Sequence, residues 1–137
     1  VAMKVNLIIN EDRTKEGYEN IPLTETSVGG IPDSACKELM IDNVFEFIPE
    51  ELAPTLLKKI RKGGTLEIRS PDGEEICRQL QLGSLSFEEA SSLLTGGRAR
   101  MSTLAKTRSL LESKGLKIEF AGINGAFYRI TATRDHG

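Results

Sequence analysis

Tryptophan is absent from this sequence, and histidine occurs once, at His136. A His-dependent catalytic triad is therefore excluded, and His136 stands one residue from the end of the sequence, where chains fray and general bases are poorly held. Cysteine is nearly as scarce, because Cys36 and Cys77 lie far apart with neither CxxC nor metal-ligand spacing. They read as reduced thiols buried as small hydrophobes, which points away from a disulfide framework or a metal site and towards a reducing, cytoplasmic setting. No apolar run approaches the roughly 18 residues that span a bilayer, and residues 1–9 lack signal-peptide architecture, so no membrane partner is expected. An excess of one charge is missing too: 18 basic side chains face 20 acidic ones, leaving a net charge of −2 and no general field to draw nucleic acid.

What is present suits one soluble globular unit. The 137 residues, 39% of them hydrophobic and 28% charged, are expected to form a single domain over 1–137. Residues 4–9 are a β-branched run that ends in polar Asn10, Glu11, Asp12 and Arg13, as a buried strand runs into a loop. Residues 14–33 are polar and punctuated by glycine and proline, with only 18–23 able to extend. A second apolar run covers 38–44. Pro49 then opens a predicted helix in which Leu52, Leu56, Leu57 and Ile60 recur at helical spacing, with acids at its start, bases at its end, and Gly63 and Gly64 to stop it. Residues 65–69 alternate as a strand before a turn at 70–73, and strand, helix and strand in that order argue for a parallel βαβ unit.

Two short helical patterns follow, over 74–80 and from a Ser86 cap with Glu89 three residues on. After 98–101, Ser102 is expected to cap a helix carrying Leu104, Leu110 and Leu111 and ended by Gly115. The finish is a predicted hairpin of 116–120 and 127–132, with its turn chemistry at 122–125.

The segment 41–51, its following helix, the Lys62-Gly63-Gly64-Thr65-Leu66-Glu67-Ile68 stretch and the Pro71-Asp72 pair together resemble class I, Rossmann-like S-adenosylmethionine-dependent methyltransferases. In that family an "LEH" strand end leads to a helix, a "KPGG" turn and strand, and a Pro-Asp pair. The order of elements agrees from about residue 31 to 134. Val5-Asn6-Leu7 and Gly17-Tyr18-Glu19-Asn20-Ile21 also look like the "LNLGCG" and "gyxNID" pieces of one branch. The resemblance implies a reduced Rossmann-like α/β fold: a largely parallel sheet with a C-terminal antiparallel hairpin and helices on both faces.

The departures from the family fall on its binding residues. Where a glycine loop would let backbone N–H groups approach the cofactor, the sequence has Ile8, Ile9, Asn10 and Glu11. The ribose-binding acid aligns with Pro22, for which Glu25 could substitute if the loop bends back. The third strand is shortened into 26–30, and the histidine of the "LEH" piece is Phe47, leaving Glu46.

Asp42 and Asn43 end a strand where open α/β sheets place ligands, and the alternative is that they cap the following helix or shape its entry turn. Glu46 could organise a cofactor pocket or simply favour a helix start. Asn10, Glu25, Asp42, Asn43 and Glu46 are thus the candidate cofactor-binding residues, and no catalytic residue is singled out. Arg98, Arg100, Lys106 and Arg108 form the one local basic concentration, read as a solvated surface without the aromatics that stack bases, so nucleic acid is not the expected partner. The reading is of a degenerate methyltransferase-like binding or structural module, as a homo-oligomer or within a larger assembly. The alternative is a minimal active methyltransferase on an unknown substrate.

Overall fold

The computed structural model describes residues 3–9, 13–48, 50–96, 98 and 100–135. Among these residues six strands form one sheet in the order β2-β1-β3-β4-β6-β5. They are β1 (Met3–Ile8), β2 (Glu19–Pro22), β3 (Cys36–Asp42), β4 (Ile60–Pro71), β5 (Leu116–Asn124) and β6 (Phe127–Arg134). The first four are mutually parallel, whereas β6 runs antiparallel to β4 and β5 antiparallel to β6. This is the largely parallel sheet with a C-terminal antiparallel hairpin that the sequence predicts.

Among the described residues five α-helices join the strands: α1 (Glu25–Gly29), α2 (Ala53–Leu57), α3 (Gly73–Leu82), α4 (Phe87–Leu94) and α5 (Leu104–Ser113). Alternation sets what the sheet buries. Leu39 and Ile41 of β3, Leu66 and Ile68 of β4, and Tyr128, Ile130 and Ala132 of β6 are all at most 1% exposed. They pack in one cluster with Val28 of α1, Leu56 of α2 and Leu111 of α5. Each such aliphatic side chain contributes about 1.5–3 kcal/mol by leaving water.

The buried residues of α1, α2 and α5 thus meet the same set of strand positions. The alternate positions Glu38, Thr65, Glu67, Arg69 and Arg129 point the other way, and the ion pairs Lys4–Glu38 (3.1 Å) and Arg129–Glu67 (3.0 Å) lie among them. No helix of the described residues is long and apolar enough to cross a membrane.

Several local expectations are corrected. Residues 26–30 are not a vestigial strand but most of α1, which Thr24 caps by accepting from the Ser27 N–H at 3.0 Å. The helix expected from Pro49, which lies outside the described residues, to Ile60 is one 3-10 turn, Glu50–Leu52, and the turn-and-a-half of α2, with another 3-10 turn, Phe45–Phe47, ahead of it. Ile60 is already in β4, fully buried opposite Cys36, so Gly63 and Gly64 interrupt a strand rather than end a helix. Gly63 takes φ +77°, and a Cβ on Gly64 would lie 2.8 Å from the Cys36 carbonyl oxygen, so the irregular pairing there needs both glycines.

Thr103, not Ser102, caps α5, accepting from the Lys106 N–H at 3.1 Å. The hairpin turn is Gly125-Ala126, one step beyond the stretch expected, because Asn124 still pairs with Phe127. The Ser86–Glu89 capping box of α4 is present as predicted. Cys36 is a buried thiol, but Cys77 is exposed.

Candidate functional site

The carboxyl end of β3 gathers three of the five candidate residues. Asn43 follows the strand with φ +59°, a left-handed conformation that asparagine tolerates better than most residues, and its N–H donates to the Arg69 carbonyl of β4 at 2.6 Å. Asp42 accepts from Arg69 Nη1 at 3.3 Å, with both side chains about half exposed (48% and 45%). That geometry leaves the Asp42 carboxylate on the sheet's open side rather than capping a helix.

The left-handed turn swings the next residues inward. Glu46 is 1% exposed and accepts from Ser70 Oγ at 3.0 Å, Ser102 Oγ at 3.1 Å and Arg98 Nη1 at 3.4 Å. Burial raises its carboxyl above the usual range, opposed by its own backbone hydrogen bond, Ser70, Arg98 and Ser102. Ser102 also shares a hydrogen with Tyr128 Oη at 2.9 Å, and Tyr128 with Thr107 Oγ1 at 2.8 Å. Burial holds the Tyr128 phenol protonated by raising its pKa, so this chain of hydroxyls ties β4, β6 and α5 together around one carboxyl group.

Arg98 belongs to this interior, and Arg100 is half-buried against the same turn while still bordering an open groove. The Arg98 side chain is 8% exposed, donates through Nη2 to Asn43 Oδ1 at 2.9 Å, and lies over the Phe47 ring at 4.9 Å. Its Nε is buried without a hydrogen-bond partner among the described residues. Arg100 donates to the Ile48 and Phe45 carbonyls at 3.0 and 3.1 Å and lies over the Phe45 ring at 4.4 Å. Arg98, Arg100 and Ser102 thus form a strap fastened to the turn after β3 and to Glu46. Lys106 and Arg108 remain outside on α5, where Arg108 meets Glu112 at 3.7 Å.

The other two candidates are not brought to this cluster. Glu25 is exposed at the start of α1, and Asn10 lies outside the described residues, as do Glu11, Asp12 and His136. Near β1, the residue that matters is Asn6, which is 3% exposed and donates to the Arg13 carbonyl (3.1 Å) and to Asn20 Oδ1 (2.9 Å). Asp72 is likewise spent on structure, with Oδ1 accepting from the Glu75 N–H at 2.9 Å and Oδ2 from the Leu104 N–H at 2.8 Å. A hollow of about 450 Å³ lies instead on the open sheet face, lined by Tyr18, Glu38, Thr65, Glu67, Glu119 and Thr131. Asp42, Asn43 and Glu46 do not line it. Among the described residues, no group of three or more His, Cys, Asp or Glu side chains could hold a metal ion.

No family model matches the chain, and no curated protein matches it. Solved structures do. An S-adenosylmethionine-dependent methyltransferase from Mesorhizobium loti is 10% identical with TM-score 0.65, over 97% of this chain and 91% of that one. A Thermotoga maritima methyltransferase, described as a possible histamine N-methyltransferase, is 15% identical with TM-score 0.65, over 98% and 83%. A chain of the complex between the Haloferax volcanii Trm112 methyltransferase activator and the putative methyltransferase is 10% identical with TM-score 0.64, over 100% and 85%. At these identities the likeness is one of fold: the chain has a methyltransferase-like α/β fold.

Proposed function

We propose that this chain, as a single domain over 1–137, is a binding or structural module on the methyltransferase fold that has lost productive S-adenosylmethionine binding. The observation that carries this reading is the Arg98 strap. It engages the Asn43 carboxamide, and together with Ser70 and Ser102 it consumes the Glu46 carboxylate. The polar groups that the end of β3 would offer a ligand are therefore largely occupied from within.

Two further features support it. β2 ends at Pro22, which has no side-chain acceptor for ribose hydroxyls, and Ile8 and Ile9 stand where backbone N–H groups would need glycine to approach a ligand closely. These residues do not fit S-adenosylmethionine, and no methyl-transfer step follows from them. The free thiols Cys36 and Cys77 support a reducing, cytoplasmic setting. The Haloferax neighbour, taken from a complex with an activator protein, supports a role inside a larger assembly.

The rival reading, a minimal active methyltransferase, is favoured by Asp42, whose carboxylate stays half exposed at the carboxyl end of β3. Calorimetric titration with S-adenosylmethionine and S-adenosylhomocysteine separates the two. The module reading expects no saturable heat, whereas micromolar binding that Asp42→Ala weakens would establish the rival.

A further inference from the structure

The three most exposed large apolar side chains of the described residues are Phe87 (71%), Leu82 (66%) and Met101 (58%). They fall at two places of different shape. Leu82 and Phe87 flank the tip between α3 and α4, and Met101 borders a groove of about 700 Å³ between the start of α2 and the outer side of α5.

The tip is a fixed shape. Gly83 takes φ +77° and closes α3 in the left-handed conformation, with the Ser84 N–H donating to the Gln79 carbonyl at 2.9 Å. Two residues on, Ser86 and Glu89 exchange the hydrogen bonds of the capping box at 3.2 and 3.1 Å. Both helix ends are thus satisfied locally, while Leu82 and Phe87 are left in water. A preformed apolar knob loses little conformational freedom on docking, which is the property of an interface anchor rather than of a slack loop. Beside it, the first turn of α4 carries Glu88 and Glu89.

The groove is the counterpart in both respects. Phe45, Ala53, Met101 and Leu110 give it an apolar lining, and Arg100 and Lys106 supply positive charge. An apolar knob with two adjacent carboxylates and an apolar groove with two cations are complementary in polarity and in charge.

We propose that the α3–α4 tip of one copy of this chain seats in the α2–α5 groove of a second copy. Phe87 and Leu82 fill the groove, and Glu88 and Glu89 come alongside Lys106 and Arg100. The two surfaces differ, so the contact is heterologous and either closes reciprocally into a pair or a ring, or propagates. The proposal is independent of whether any cofactor binds.

Sedimentation velocity over about 10–200 µM reads the association directly. Phe87→Ser disables the knob, and Met101→Glu with Lys106→Glu disables the groove. All three positions are exposed, so unchanged circular-dichroism melts confirm that the variants fold. Wild type is expected to associate, and each variant to weaken association at least about tenfold. An equimolar mixture of the two variants is expected to associate again, because one retains the groove and the other the knob. A wild-type monomer throughout the range, an assembly that neither variant weakens, or a mixture that stays monomeric would each overturn the proposal.

Discussion

Replacing Glu46 by alanine tests the interior network most sharply. The substitution removes the acceptor of the fully buried Ser70 hydroxyl and one of the partners of Ser102, and it leaves the Arg98 guanidinium, 8% exposed, without a counter-charge. Breaking a buried pair from one side costs about 3–5 kcal/mol. For a chain of 137 residues the unfolding entropy near the midpoint is about 0.3 kcal/mol/K, so Tm should fall by about 10–17 °C. Thermal unfolding followed by circular dichroism reads this at once.

The same carboxyl group carries a pH signature. Its folded pKa is raised by burial, so its contribution to stability is fully present below the ordinary carboxylate pKa and is lost as pH rises through the raised value. Glu46→Gln should abolish that part of the acid-side dependence. A Glu46→Ala protein within about 1 kcal/mol of wild type would refute the claim that this network holds the strap to the sheet.

Other outcomes follow from single contacts. Gly64→Ala puts a Cβ within 3 Å of two backbone oxygens and should cost about 1–3 kcal/mol in urea unfolding, with Gly29→Ala, which meets nothing, as the control. Asp72→Ala removes the cap of α3 and the anchor of the first N–H of α5, a loss of about 2 kcal/mol measurable in the same way. Burial pushes the Cys36 thiol up to about 11, so a thiol reagent at mildly alkaline pH should modify Cys77 alone in the native state and both thiols after unfolding. By the same linkage, stability should decline between about pH 9 and 11, where the unfolded Cys36 ionises and the folded one does not, and Cys36→Ser should flatten that decline.

The sheet was legible because its signals are local. The β-branched run of β1, the alternation at 65–69 and the turn chemistry of the hairpin each restrict a few neighbouring residues, and the order of elements then narrows the topology. The failures lie where tertiary contacts override periodicity. Ile60 keeps helical spacing with Leu56 and Leu57, yet its burial opposite Cys36 draws it into β4.

The candidate site was legible only in part for a related reason. Asp42, Asn43 and Glu46 lie within five positions, so the sequence could place them together at one strand end. Their partners Arg98 and Ser102 lie more than fifty positions on, and no local pattern distinguishes a buried arginine from a solvated one. Lys106 and Arg108, in the same basic stretch, do remain at the surface.

We propose that the polar groups at the carboxyl end of β3 are largely engaged from within and no longer receive S-adenosylmethionine. The most direct test of this claim is a heteronuclear NMR titration of the 15N-labelled chain with S-adenosylhomocysteine, which locates any binding as well as detecting it. The amides of Asp42, Asn43 and Glu46 are expected to stay in place up to millimolar ligand. Saturable shifts centred on those amides would contradict the proposal.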